Sequence, residues 1–504
     1  MVLIMILQTL FALVLLTASA GAATYFVDAA SGNDANSGTS EAAAWRSLGP
    51  VNAAVFAPGD SIHFRSGGVW DGQLAPRGSG APGRPISIGV YGGDKPAVIQ
   101  GPGTPGSAAL ALVDQSYWEV RQLEFTNQQP AGGQNGLTGI SIRSRGKTLQ
   151  QHIYIERCVV RDVNSPAVTK ANYNAGKSTG GIIFRGDISD VRVVRCHIHD
   201  VGVEGLRTSS TRAVKDVVFT DNLIENVSGD GIVIHGSGSG SHIARNVVRN
   251  VCMSDGGNFA GIWTYDSHQT IVEYNEVSGL KGGGTADGQA FDADSETDGD
   301  VFQYNYTHDN ARGFMLFMAS ARNIIVRYNI SENDAIGSSP MRGGHRLIAQ
   351  NAGKGSATNQ VYNNVFYSRT PLDTVFNTCS AITFRNNIIL LEGGTRQFNT
   401  QPFGPGAVFD HNCYFPATIV AQNGPPVGST DILGDPRLSQ PGAGGVGVEL
   451  KADGFAAGQR AYWLRADSPL LGAGASITAP RLRDYWGTFV GSRSNIGADQ
   501  ATGH

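Results

Sequence analysis

Ten positions, Cys158, Cys196, Asn222, Asn246, Asn275, Asn305, Asn329, Asn364, Asn387 and Asn412, are each followed by two strand-type residues, and they recur at steps of 23 to 38 residues. A step that keeps a floor and grows only by insertion is the mark of a solenoid, in which each coil holds its strands in register and extra residues leave at one corner. A second strand, opening with glycine, follows each excess: residues 181–185, 205–209, 231–235, 261–265, 288–292 and 313–317.

Side chains alternate along a strand, so the first and third residues after each glycine share a face. Ile182/Phe184, Leu206/Thr208, Ile232/Ile234, Ile262/Thr264, Gln289/Phe291 and Phe314/Leu316 read as core. The opposite row then carries Arg185, Arg207, His235, Trp263, Tyr265, Asp292, Met315 and Phe317, with Asp294 two places beyond Asp292.

These coils, over residues 107–415, resemble those of the right-handed parallel β-helix proteins of the pectin-lyase-like superfamily. The stretch 25–39, followed by Pro58-Gly-Asp-Ser-Ile-His-Phe64, is similar to their N-terminal opening, and Asn495-Ile-Gly-Ala-Asp499 to their closing strand. The resemblance implies an all-β solenoid and a carbohydrate-active protein, but this fold hosts lyases, hydrolases, epimerases and adhesins alike. Residues 23–106 are expected to cap and lead into the helix, with a short α-helix near 48–56 and a strand at 61–64. Residues 416–504, rich in Gly and Pro, are expected to run as an irregular tail along the outside.

The 67 glycines and 16% charged residues fit such a turn-rich solenoid, and a net charge of -4 offers no basic field for nucleic acid. Residues 2–16 are apolar apart from Gln8 and Thr9 and run into small residues with cleavage sites after Ala20 or Ala22. This reads as a signal peptide over 1–22, hence a secreted or periplasmic protein free of the membrane after cleavage. No Lys or Arg precedes the apolar run, which leaves an uncleaved anchor as the alternative.

Four places after the repeat residue stand Asp162, Asp200, Asn226, Asn250, Gly279, Asp309 and Asn333, read as a turn ladder. The pairs His199-Asp200 and His308-Asp309 are thereby explained as turn residues rather than catalytic dyads, and the Asn305 sequon falls on a repeat strand. Cys158 and Cys196 occupy equivalent places in neighbouring coils, about 4.8 Å apart by strand spacing. Both a disulfide and two stacked thiols fit.

Chemistry concentrates in residues 287–300, where Asp287, Asp292, Asp294, Glu296, Asp298 and Asp300 crowd together. Insertions at about 164–179, 253–260, 281–287 and 335–344 leave one corner and are expected to wall a groove. Trp263 and Tyr265 would floor it, with His235, Arg207, Arg185 and Phe317 as further substrate contacts, and such faces suit sugar rings. Asp292, Asp294, Asp266 and Asp287 are the catalytic candidates. Glycosidic hydrolysis needs one carboxylic acid and one carboxylate about 5 to 9.5 Å apart, and mutual repulsion keeps one of a close pair protonated.

The expected function is therefore a glycoside hydrolase acting on a polysaccharide without a cofactor. The first alternative is a calcium-dependent lyase on a uronate polymer, with Asp287, Asp292, Asp294 and Glu296 holding Ca²⁺. Arg185, Arg207 and Arg312 favour that reading, while the place where a basic lysine is wanted holds Asp292. A non-catalytic carbohydrate-binding or adhesive helix is the second alternative.

Overall fold

The computed structural model describes residues 21–129, 136–146, 148–163, 177, 179–209, 213–236, 238–254, 258–282, 287–337, 345–350, 358–379, 381–445, 456–477 and 482–504. The signal-peptide reading of 1–22 falls almost wholly outside them, as does most of the groove insertions 164–179, 281–287 and 335–344. No helix among the described residues is long and apolar enough to cross a membrane.

Three long parallel sheets wind as one right-handed helix, with 14, 13 and 11 strands among the described residues. From Ile86 to Asn399 each coil gives one strand to each sheet in turn, and the strand pairs among the described residues are parallel. Residues 23–106 already belong to this winding. Thr24–Val27, Ser61–Arg65 and Ile86–Tyr91 start the first sheet, and Leu48–Ala53 is a short α-helix capped by Ser47. Apolar side chains from all three sheets fill one continuous core.

The repeat asparagines occupy the corner between the first and second sheets. Asn246 Nδ2 donates to Asn275 Oδ1 at 2.9 Å and to Phe219 O at 2.9 Å, while its own Oδ1 accepts from Asn222 Nδ2 and backbone N. The pattern continues from Asn275 through Asn305, Asn329, Asn364 and Asn387 to Asn412. Each of these side chains is at most 2% exposed, so the amide stack satisfies corner backbone groups that water cannot reach. The residue just before each is left-handed, with φ of 54° at Arg245, 54° at Tyr274 and 55° at Tyr304. A non-glycine residue there costs about 1 kcal/mol or more, which the ladder offsets at every coil.

The hydrogen-bonded stack thus lies at the repeat position itself and not four residues later. Asp162, Asp200, Asn226, Asn250, Gly279, Asp309 and Asn333 instead all adopt positive φ, between 50° and 66°, and end the strands of the second sheet. Asn, Asp and Gly tolerate that conformation, which accounts for the pattern without continuous side-chain stacking. His199 and His308 each bond the adjacent turn aspartate, at 2.7 and 3.0 Å. All five cysteines are free and buried, Cys158 and Cys196 included.

The described residues of 416–504 lie along the outside. Tyr274, Tyr304 and Tyr328, each just before a ladder asparagine, form a ring stack that Tyr362, two places before Asn364, meets edge-on, and Tyr462, Leu464, Tyr485, Trp486 and Ile496 of the tail cover it.

On the third sheet the register departs from the glycine alignment. Ile262 pairs with Phe291, Trp263 with Asp292 and Thr264 with Ala293; Phe291 in turn pairs with Met315, Asp292 with Leu316 and Ala293 with Phe317. Ala290, not Gly288, is the counterpart of Gly261, whose N–H bonds Gln289 O. That two-residue slip leaves Asp292 outward, whereas in the next coil Phe314, not Gly313, takes the place of Ala290, and a slip of one residue exchanges the faces of a strand. Met315 and Phe317 therefore point into the core at 0% exposure, and Leu316 takes the outward place. The expectation that Phe317 contacts substrate is corrected accordingly.

Two stability measurements follow. Asn305→Ala removes bonds to Asn275, Asn329 and Val272, each worth about 1 kcal/mol, and should lower unfolding free energy in urea by about 2 to 4 kcal/mol. Phe317→Ala should cost about 3 to 5 kcal/mol by cavity formation while leaving saccharide affinity of the folded fraction unchanged.

Candidate functional site

Outward residues of the third sheet form two adjacent rows. One runs Arg207, Val233, Trp263, Asp292, Leu316; the other includes His235 and Tyr265, paired on neighbouring strands. Asp294 lies one residue past the strand Phe291–Ala293, held by its N–H to Thr264 O at 2.8 Å. Asp287 comes from the segment that leads into that strand. The structure thereby gathers Asp287, Asp292 and Asp294 beside Trp263.

Their environments differ. Asp292 is 4% exposed, and its Oδ1 has no hydrogen-bond partner among the described residues. Burial, and then the charges of Asp294, Asp287 and Asp230, push its carboxyl well above the usual range. Asp287 is also raised, first by burial and then by Asp294, against the opposing pull of Arg346, Lys177 and Arg312. Asp287 and Asp294 retain partial exposure. Two partly exposed carboxyls thus accompany one that is covered.

Other candidates stand apart. Asp266 sits on a turn with φ of 48°, with His268 3.8 Å away, and does not figure among the charges acting on Asp287 or Asp292. Glu296 is exposed on a second positive-φ turn, so the four carboxylates named for calcium do not converge. Among the described residues no three His, Cys, Asp or Glu side chains are arranged to hold a metal ion.

Trp263 is 9% exposed and packs with Val233, Ala260 and Tyr265. Its ring has Lys177 Nζ 4.1 Å from the centroid and Arg207 at 5.6 Å, and its Nε1 has no partner among the described residues. Tyr265 is the more exposed ring, edge-on to His235 at 4.6 Å. Burial, and then Arg207, push His235 down to about 4, which keeps it neutral in ordinary buffers. Arg185 lies further along the sheet, paired with Arg143 and Ser209 on its neighbours. Arg207 forms a buried ion pair with Glu204 at 2.6 Å.

Lys177, Asp230, Glu204 and Arg346 escape the sequence reading. One signal was present: the residue before the strand glycine is Glu204, Asp230, Asp287 and Arg312 in four of the six coils. Charged residues there head the strands on the outward side of the glycine corner. Lys177 carried no such mark, because it sits in an insertion whose path the repeat does not fix.

Trp263→Ala should therefore both weaken saccharide binding, by about 1 to 3 kcal/mol, and lower the melting temperature by several degrees. Tyr265→Ala should affect binding with little change in melting; calorimetric titration beside thermal unfolding separates the two.

A family model described as "Right handed beta helix region" matches residues 103–277. A curated relative, the lacto-N-biosidase of Bifidobacterium longum subsp. longum, is 25% identical over 79% of this chain and 31% of its own length, so the chain spans about a third of that protein. The crystal structure of GH136 lacto-N-biosidase from Eubacterium ramulus superposes with a TM-score of 0.59 at 23% identity, covering 72% of this chain and 67% of that one. The complex of XylC with xylose gives a TM-score of 0.56 at 13% identity, covering 95% of this chain and 98% of that one. The sheets and these likenesses together make the chain a right-handed parallel β-helix protein.

Proposed function

We propose that this protein is a secreted glycoside hydrolase that cleaves a saccharide chain lying along the outward face of the third sheet. The observation that carries the reading is the convergence of Asp287, Asp292 and Asp294, in which burial and the neighbouring charges raise Asp287 and Asp292. Sequence likeness to a lacto-N-biosidase supports the reaction class.

Asp287 and Asp294, both partly exposed, are the pair assigned in this reading to the glycosidic bond. Asp287, raised in pKa, keeps a proton to give to the leaving oxygen, and Asp294 acts as nucleophile or base on the sugar carbon. Asp292, covered between them, holds the balance of charge. Tyr265 and the edge of Trp263 offer apolar contact to a sugar face.

The sign of the pH dependence follows. An acid with a raised pKa stays protonated to higher pH, so the rate should fall as pH rises through that value, above the ordinary carboxylate range.

One observation favours a second reading, elimination on a uronate polymer. Lys177, absent from the acidic segment in sequence, reaches it in space, and a lysine is a suitable base for removing a proton beside a carboxylate.

Screening the purified protein on a panel of polysaccharides, oligosaccharides and 4-nitrophenyl glycosides should give new reducing ends without ultraviolet absorbance of unsaturated uronate. Asp287→Asn and Asp294→Asn should each lower kcat by about 10² to 10⁴ with folding intact, and a strong chelator should leave activity unchanged. Unsaturated product, or wild-type turnover in both variants, would falsify the hydrolase reading.

A further inference from the structure

We propose that Asp230 is a positioning residue of this site, whose carboxylate joins Lys177 to the backbone of Ala260 and so fixes the Trp263 ring and the Lys177 cation beside the catalytic carboxylates. The inference rests on the hydrolase reading given above.

Asp230 stands two residues before the strand Ile232–His235 and is 0% exposed. Its Oδ1 accepts from Ala260 N at 2.7 Å. Its Oδ2 has no hydrogen-bond partner among the described residues and faces Lys177 Nζ at 4.0 Å. Lys177 also donates to Asn258 O at 3.0 Å, across 81 residues of sequence, and lies 4.1 Å from the Trp263 ring centroid and 5.6 Å from that of Phe259. One carboxylate thus ties two groove insertions together against the same ring.

A backbone N–H alone would be served by a neutral acceptor, and burying a charge is costly unless a partner answers it. The charge on Asp230 finds its answer in Lys177, which makes the pair more than a turn cap. The other charged groups about it are Glu204 and Arg207 on the preceding coil, His235 on its own strand, Asp292 and Asp294 two coils on, and Asp287 with Arg312 and Arg346 beyond. Asp230 itself is pushed up to about 7 by burial, and it raises Asp292, whereas Lys177 lowers Asp230, Asp287 and Asp292. The two members of the pair therefore act on Asp292 with opposite sign.

Asp230→Asn keeps the acceptor for Ala260 and removes the anion; Lys177→Met keeps the stem and removes the cation. On the 4-nitrophenyl glycoside selected by the panel, the upper pH limit of kcat/KM should move down in the first and up in the second, each by about half to one pH unit. Lys177→Arg should keep the wild-type profile. The emission attributable to Trp263, isolated by subtracting the spectrum of a Trp263→Phe protein, should shift to the red in both charge-removing variants. Profile shifts of the same sign, or a uniform loss of rate that follows a lowered melting temperature, would overturn the proposal. Unchanged Trp263 emission would do the same without reference to activity. Full turnover in Asp287→Asn and Asp294→Asn would instead remove the hydrolase reading while leaving the emission test of the Asp230 contact in force.

Discussion

The amide stack from Asn222 to Asn412 is the interaction on which the rest depends. A solenoid coil closes only if the chain turns sharply where the first sheet gives way to the second, and that turn requires a left-handed residue before each asparagine. Backbone groups at such a corner are removed from water and from the sheet ladders at once. The asparagine side chain answers both needs, donating to the corner carbonyl of one coil and to the next amide in the stack. Because every asparagine both gives and accepts, the coils are locked in a common register over the length of the ladder.

That register decides the site. With the corners aligned, the outward rows of the third sheet line up within a strand spacing, and Arg207, Val233, Trp263 and Asp292 stand one above the other. Charged residues at the strand heads add a second tier, with Glu204, Asp230, Asp287 and Arg312 along the same edge and Ala260 heading the coil between Asp230 and Asp287. Crowding of like charges in a partly dry groove is unfavourable for folding, and the nearby cations Lys177, Arg207, Arg312 and Arg346 compensate it without neutralising Asp287 and Asp292. A rigid solenoid tolerates this, since stability resides in the core and the ladder and not in the outward row.

The tail contributes in another way. By covering the tyrosine stack beside the ladder, residues 416–504 protect the corner from water on the side away from the groove. Tyr304 Oη donates to Arg483 O, and Asn363 Nδ2 to Asn495 O and Gly497 O, so the last residues of the chain bond the corner directly. The ladder is sealed from outside as well as stacked from within.

The solenoid itself was legible in the chain, because a repeat of asparagine and apolar pairs has one economical solution: stacked coils with a common core. The acidic segment and the rings Trp263 and Tyr265 were legible too, as residue types out of place on an otherwise apolar period. Four features were settled only by the folded structure. Phe317 and Met315 turn inward because the coil at 313 slips one residue against its glycine, and a period-two pattern with alternating apolar residues reads equally well in either register. The ladder sits at the repeat asparagine, whereas a neighbouring position with similar composition merely tolerates positive φ. Asp266 and Glu296 stand on left-handed turns past their strands, a matter of backbone conformation that spacing does not carry. Lys177 reaches the site across an insertion, and since loop paths answer to tertiary contacts and not to the repeat, only the three-dimensional chain could place its charge against Asp230 and Trp263.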